Sequence, residues 1–335
     1  MLETLGVAAL VLAALSTVFL GALVVRRVTL ARDERRREEL ERRLRPMALA
    51  IVDGGDIEAA PLDVTELAVL AEVIGRLSRS VRGDARERIA SYFAGTTALA
   101  GELDALGDRR GWRRATAAYR LGDMACLESL PRLVAGLEDH DADVRASAAR
   151  SIGLLGSPDG AEPLVRVLAE GRVPRAIAFR AVLDLGPAAL PGLRRLAHDS
   201  DPDLRAAATE LMGFLGDAGD AALLVVAAED PSAEVRARAT AALGRLAASE
   251  GAEALTRALD DRIYFVRLHA ARALGKVGER AAVGRLLRQA REDRFEAARA
   301  AAEAVAQIDP DALVAAAAEA DAGPHLHEAA DLLRA

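Results

Sequence analysis

The chain has one cysteine, one lysine and only 3% aromatic residues among its 335 positions. A single thiol, Cys126, excludes a disulfide framework and a cysteine-based zinc site. So few rings argue against a sandwich or barrel, whose strands draw on aromatic and β-branched side chains. Gly at 27 and Pro at 12 are ordinary numbers and exclude collagen-like and disordered readings. Lys276 stands alone against 43 arginines, which points to a GC-rich bacterial genome rather than to a function. The net charge of −7 speaks against a general nucleic-acid binder. Catalytic signatures are missing too: no His-Glu-x-x-His helix, Cys/His cluster, Walker-type loop, Gly-x-Ser-x-Gly elbow or dinucleotide fingerprint occurs. What is abundant is alanine, 76 residues of a chain that is 52% hydrophobic. That composition suits helices packed closely backbone to backbone.

One long apolar run exists. Thr4 to Val25 gives 22 residues without a charge. As a helix it is about 33 Å long, enough for a hydrocarbon core of about 30 Å. Met-Leu-Glu-Thr precedes it without Arg or Lys, and the run is long for a signal peptide, so a retained anchor is expected rather than a cleaved signal. Gly6, Ala9 and Ala13 on this helix permit close contact with another span. Nine arginines follow between Arg26 and Arg45, against only Glu3 on the other flank. Positive flanks stay cytoplasmic, which predicts a plasma-membrane protein with its N-terminus outside and its C-terminal part inside. Cys126 in an apolar helical setting fits a reducing compartment. Residues 26–45 also hold five acids, with Glu34–Glu38, Arg35–Glu39 and Glu38–Arg42 at i,i+4 spacing. They read as a solvated helix that stops at Pro46. Its arginines fix topology; binding anionic headgroups is the functional alternative.

A repeat governs the rest. Arg114, Arg145, Arg175, Arg205, Arg236 and Arg267 follow one another at intervals of 30 or 31, and Ala298 continues the series. Three residues after each stands Ala117, Ala148, Ala178, Ala208, Ala239, Ala270 or Ala301. Large apolar residues follow at offsets 7 and 10, such as Leu243 and Leu246, and these offsets share one helical face. Offset 11 is often Gly (Gly156, Gly186, Gly216, Gly278), able to take φ > 0 and end the helix. A second apolar helix comes next. Each repeat is a helix, a tight turn and a second helix, and stacked pairs bury the core that one pair cannot.

The strings Asp143-Val-Arg-Ala-Ser-Ala-Ala-Arg-Ser-Ile-Gly-Leu-Leu-Gly and Glu234-Val-Arg-Ala-Arg-Ala-Thr-Ala-Ala-Leu-Gly-Arg-Leu resemble HEAT repeats. They are most similar to the short bacterial kind named after phycobilisome lyases, over about residues 104–335. The resemblance implies an all-α fold, an α-solenoid of about seven helix pairs whose second helices line the concave side. The repeat at Arg175 departs from the pattern, with Pro174 where Val144, Leu204, Val235 and Val266 stand elsewhere, and with the turn Leu185-Gly-Pro-Ala-Ala-Leu-Pro. The stack is expected to kink there. The final repeat lacks its arginine and reads as a degenerate cap.

The expected organisation is a membrane segment at 1–25, an Arg-rich juxtamembrane helix at 26–45, a linker and helical cap at 46–110, and the solenoid at 111–335. Within the cap, Met47 to Asp56 reads as the linker. Asp63-Val-Thr-Glu66 and Asp84-Ala-Arg-Glu87 read as capped helix starts. Leu67, Leu70, Ile74 and Leu77 form an apolar stripe on the first helix, and Ile89, Tyr92 and Phe93 lie on the second; Trp112 stands near the junction.

Two sets of arginines stand out. Arg114, Arg145, Arg175, Arg205, Arg236 and Arg267 read as a structural ladder, able to pair with an acid of the neighbouring repeat. Arg132, Arg166, Arg195, Arg257 and Arg288 lie on second helices and could grip an acidic protein segment. The five histidines, His140, His198, His269, His325 and His327, do not cluster. Some HEAT proteins are iron hydroxylases with several His-Glu steps; only His327-Glu328 occurs here. Residues 46–335 carry −10, which leaves no phosphate-binding groove without strong charge segregation. No enzyme activity, cofactor, metal, nucleic acid or small-molecule substrate is expected. Together these features read as a membrane-anchored scaffold or adaptor for a protein partner. The alternatives are a regulatory subunit of a membrane-bound enzyme, such as a glycosyltransferase or transporter, and a lyase-type enzyme.

Overall fold

A computed structural model describes residues 2–56, 62–77 and 83–334, without the side chains of 2–18, 22–25 and 30. Among the described residues every regular element is helical. The chain forms two compact units, Met1–Ser129 and Leu130–Ala335.

The first unit opens with one long helix, α1 (Leu2–Asp53). The sequence places its end at Pro46 and a linker over Met47–Asp56; the structure corrects both. α1 runs through Pro46 because Leu44, Ala48, Ile51 and Val52 recur at helical spacing and are all buried. Pro46 itself is exposed. The carbonyl whose partner it removes belongs to Arg42, also exposed, so water can satisfy it. Gly54, at φ 78°, ends the helix, and its N–H donates to the Ala50 carbonyl at 2.9 Å.

α2 (Val64–Leu77) and α3 (Asp84–Phe93) pack on α1. The expected capping box at Asp63 forms in both directions, at 2.8 and 2.9 Å with Glu66. At Asp84 it does not: Gly83 takes the cap position at φ 69°, and Asp84 moves into the first turn. Leu67, Leu70 and Ile74 are buried, as are Ile89 and Phe93. Arg37 pairs with Glu72, Arg43 with Glu66, and Arg76 with Glu41 at 2.6 Å, so part of the arginine-rich segment is bound to α2. α4 (Thr97–Ala105) and α5 (Gly111–Asp123) complete the unit. Arg120 on α5 joins Glu72 of α2 (3.0 Å) to Glu102 of α4 (2.9 Å). Cys126 lies in the turn after α5 rather than in a helix.

The segment Thr4–Val25 is part of the α1 backbone, but the anchoring expectation for it lies outside the described residues. Among the residues whose side chains are described, no single helix is long and apolar enough to cross a membrane.

The second unit is a succession of helix pairs. It starts with α6 (Leu130–Gly136), the second helix of the Arg114 repeat. The pairs are α7 (Ala142–Leu155) with α8 (Ala161–Glu170), α9 (Arg175–Leu185) with α10 (Leu190–Leu196), and α11 (Pro202–Leu215) with α12 (Ala221–Ala227). Then come α13 (Ala233–Arg245) with α14 (Ala252–Ala258), α15 (Tyr264–Val277) with α16 (Val283–Glu292), and α17 (Phe295–Ile308) with α18 (Pro310–Ala317). α19 (Gly323–Arg334) packs on α16, α17 and α18 and closes the end. The offset-3 alanines and offset-7 apolar residues are fully buried in every repeat.

A further residue sets how closely first helices approach. Eight positions after the ladder arginines Arg145, Arg205, Arg236 and Arg267 stand Gly153, Gly213, Gly244 and Gly275. A Cβ on Gly213 would lie 2.5 Å from the Ala242 side chain, and one on Gly244 would lie 2.7 Å from that of Ala273. Each glycine is a notch for an alanine of the next first helix. In α9 the position holds Leu183, and α9 meets α11 far more sparsely than any later pair of first helices meets. α9 is also shorter than its equivalents. Offset 11 shows a related rule. Gly156, Gly186 and Gly278 have positive φ as expected, while Gly216 stays extended at φ −76°. Where the repeat has alanine there, Ala125 and Ala247 adopt φ 57° and 48° regardless.

Two substitutions three residues apart at the end of α13 should therefore act in opposite directions. Gly244→Ala forces α13 and α15 apart and should lower stability by about 1–3 kcal/mol. Ala247→Gly relieves a left-handed alanine and should raise it by up to about 1 kcal/mol. Urea unfolding measures both; equal signs would contradict the packing described.

Candidate functional site

The ladder arginines take part in a relay. Arg205 donates through Nε and Nη2 to Asp230 at 2.8 and 2.9 Å. Arg236 does the same to Asp261 at 2.7 and 3.0 Å, and Arg267 to Asp293 at 2.6 and 2.5 Å. The third nitrogen, Nη1, donates backward: Arg236 to the Asp230 carbonyl (2.9 Å), Arg267 to the Asp261 carbonyl (2.7 Å), and Arg205 to that of Asp199 (2.9 Å). Thus Asp230 and Asp261 each bind one arginine by the carboxylate and the next by the carbonyl. This planar fork is what arginine offers and lysine cannot.

These pairs are largely shielded, at 10% and 11% side-chain exposure for Arg236 and Asp261. Burial pushes the carboxyls of Asp230, Asp261 and Asp293 up. Hydrogen bonds from the facing guanidinium and from a backbone N–H outweigh it, and all three lie below the usual carboxylate range.

Upstream the relay changes. Arg114 donates to the Asp108 carbonyl at 2.8 Å. Arg145 donates to the Asp139 carbonyl at 2.8 Å and to the Arg172 carbonyl at 2.9 Å, where later repeats have a carboxylate. Arg175 is half exposed and, among the described residues, its ion pair is with Asp203 at 3.5 Å. The ladder thus breaks at the repeat that also has Leu183 and Pro174. The partner carboxylates are not among the residues the repeat pattern singles out, yet two of them carry a signal: Asp230 and Asp261 each precede a ladder arginine by six residues.

The second set of arginines can be placed by register. Each second helix has one fully buried leucine: Leu164, Leu193, Leu224, Leu255 and Leu286 on α8, α10, α12, α14 and α16. Two residues later stand Arg166, Arg195, Val226, Arg257 and Arg288, all exposed. Four of the five predicted residues therefore share one row. Arg132 does not: it precedes Leu133 by one, equivalent to Arg285. Val226, 66% exposed, holds the middle of the row, and no charge marks it in the sequence. Some of the charge is already paired. Arg195 meets Glu162, and Arg257 meets Glu229 and Glu253, both at 2.8 Å.

The histidines do not converge. His140 and His198 are exposed, the Nδ1 of His327 lies 2.7 Å from the Gly323 carbonyl of its own helix, and His325 sits edge-on to Phe295. His269 is pushed down by burial and by Arg272, Arg238 and Arg245. Among the described residues no group of three or more His, Cys, Asp or Glu could hold a metal ion. The Cys126 thiol is buried and pushed up to about 11 by desolvation, with Glu128 adding to it.

The HEAT-repeat profile matches residues 100–183 and 221–307, just over half of the chain. This chain belongs to the HEAT-repeat family. No curated protein matches it. Among solved structures it is similar to importin beta in an ammonium sulfate condition, at 14% identity and a TM-score of 0.50, over 83% of this chain and 49% of that one. Human deoxyhypusine hydroxylase in complex with glycerol aligns at 20% identity and a TM-score of 0.33, over 81% and 98%. The complex of CpcE and CpcF of phycocyanin lyase from Nostoc sp. PCC7120 aligns at 20% identity and 0.27, over 82% and 96%. These likenesses concern the fold.

Two outcomes follow from the geometry. Arg236→Met strands the shielded Asp261 carboxylate and should cost about 2–4 kcal/mol, whereas Arg175→Met should cost under about 1 kcal/mol. Because the folded carboxyls titrate below their unfolded value of about 3.9, the ladder stabilises above that pH. Its contribution is lost as pH falls through the lower folded values, so the difference between Arg236→Met and the parent should shrink on acidification. Urea titrations at pH 7 and pH 3 measure this. Separately, Cys126 should react with iodoacetamide at pH 8 roughly a hundredfold more slowly in the folded chain than in urea, by mass spectrometry.

Proposed function

We propose that this HEAT-repeat protein is a membrane-anchored scaffold that holds a protein partner on its second-helix face. The observation that carries the reading is the row at Arg166, Arg195, Val226, Arg257 and Arg288: the repeat places exposed side chains at one register on five successive second helices. The shielded ladder arginines Arg205, Arg236 and Arg267 serve stacking, but this row has no part in the core. Such a periodic surface suits an extended partner better than a compact small molecule. Anchoring rests on the charge-free run Thr4–Val25, followed by nine arginines within the same helix as the core-packed Leu44–Val52. An anchored scaffold raises the effective concentration of whatever it binds. In this reading the N-terminus is outside and the repeats are cytoplasmic.

The test uses the full chain in bacterial membranes. It should stay with the membrane through carbonate extraction, and a reporter active only in the cytoplasm should work when fused after Ala335. A photo-crosslinking residue at Val226 should give a discrete protein adduct that one at Arg299, on a first helix, does not. Extraction by carbonate would remove the anchor; equal labelling from both positions would remove the face.

A further inference from the structure

The first helices α11, α13 and α15 carry a cluster of cations that the repeat does not call for. We infer that Arg245, His269 and Arg272 form a site for a phosphate group. Arg245 stands nine positions after its ladder arginine. At that offset the neighbouring repeats have Leu154, Asp184, Phe214, Lys276 and Gln307, so stacking does not require an arginine there. Its guanidinium reaches back onto α11. Cζ lies 4.2 Å from the centre of the Phe214 ring, and Nη2 lies 3.0 Å from where a Cβ on Gly213 would stand. The bare backbone of Gly213 is what admits it. In that seat Nε and Nη2 are shielded and bond nothing. These are the two nitrogens with which Arg205, Arg236 and Arg267 each take an aspartate. Arg245 thus offers the donor pair of the ladder without its acceptor, and a shielded donor pair left unmet is rare in a folded protein. The ring stacked on it, Phe214, is itself 50% exposed. Exposed side chains change rotamer within nanoseconds, so the ring can give way to a ligand.

The acids nearby do not supply the acceptor. Glu210 on α11 and Glu234 on α13 both bind Arg238, at 2.9 and 2.6 Å. Burial pushes the Arg245 guanidinium down; Glu210 opposes this and Arg238 adds to it. Arg272 on α15 is exposed and makes no ion pair among the described residues. His269, half-buried on α15, feels both of these arginines: burial pushes it down, Arg272, Arg238 and Arg245 push it further, and Glu234 opposes them. Two guanidinium charges therefore lack a counter-ion around one histidine. A carboxylate meets one such charge, as in the ladder. A phosphate monoester carries about −1.5 to −2 charges and three acceptor oxygens, enough for both arginines and the histidine.

The experiment uses the purified full chain at constant ionic strength, with inorganic phosphate, chloride and a phosphoserine peptide as probes. Phosphate should raise the melting temperature where chloride does not. It should also raise the pH at which the ring protons of His269 titrate by NMR, because a bound anion offsets the three arginines. Arg245→Met should weaken phosphate binding at least tenfold without lowering the melting temperature of the phosphate-free chain, since the lost guanidinium pair bonds nothing; a merely structural arginine would lower it. Phe214→Ala, which uncovers the pair, should bind phosphate at least as tightly as the parent. Tighter binding of the phosphoserine peptide than of inorganic phosphate identifies a phosphorylated protein segment as the source of the group; equal or weaker binding identifies the free ion or a small phosphate ester. No response to phosphate beyond that to chloride, or an undiminished response in Arg245→Met, overturns the inference.

Discussion

The three-pronged arginine fixes the later repeats to one another. One guanidinium in each of Arg205, Arg236 and Arg267 grips the carboxylate of the following repeat with two nitrogens and a carbonyl of its own loop with the third. The carboxylate cannot be moved along the chain, because the same aspartate offers its carbonyl or a capping contact to the next helix start. A repeat of 31 residues is thus held in register at its loop, while the Gly–Ala notches hold it at the helix crossing. Burial of the Ala and Leu faces supplies the driving force; the ladder and notches decide which arrangement that burial selects.

Both devices fail in the same place. The Arg175 repeat has Leu183 where its neighbours have glycine, Pro174 at the head of a shortened α9, and an arginine that stays half exposed. Pro174 and the Pro-containing turn are the features that predict a kink at this repeat from sequence. The stronger causes of a break in the array are the lost notch and the weaker hold on Arg175, a single 3.5 Å contact to the exposed Asp203 in place of a two-nitrogen grip. The array from α11 to α17 is consequently the uniform part of the second unit, and three of the five row residues, Val226, Arg257 and Arg288, stand on it.

Most of the repeat architecture is legible in the sequence because its determinants are local. Offsets 3 and 7 are read within one helix, and Ala239 and Leu243 prove fully buried, like their equivalents. Offset 11 predicts helix ends, and even Ala125 and Ala247 obey it. What stays hidden depends on partners far along the chain. Asp261 lies 25 residues beyond Arg236, and Gly244 means nothing until Ala273 is placed against it. The stop at Pro46 fails for the same reason. Proline ends a helix only if nothing rewards continuation, and the burial of Ala48, Ile51 and Val52 on α2 and α3 is not visible within the segment. The row of surface arginines is half legible. Their recurrence is plain, but the register to a buried leucine, the place of Val226 and the paired glutamates need the folded chain.

On this account the ladder locks the array from α11 to α17, and one loose joint lies between α9 and α11. Hydrogen–deuterium exchange of the backbone amides, followed by mass spectrometry, measures this directly. Even, high protection from α11 through α17 and markedly faster exchange in α9 and α10 is the predicted result. Uniform protection across α7 to α17, or a break within α11 to α17, would contradict it.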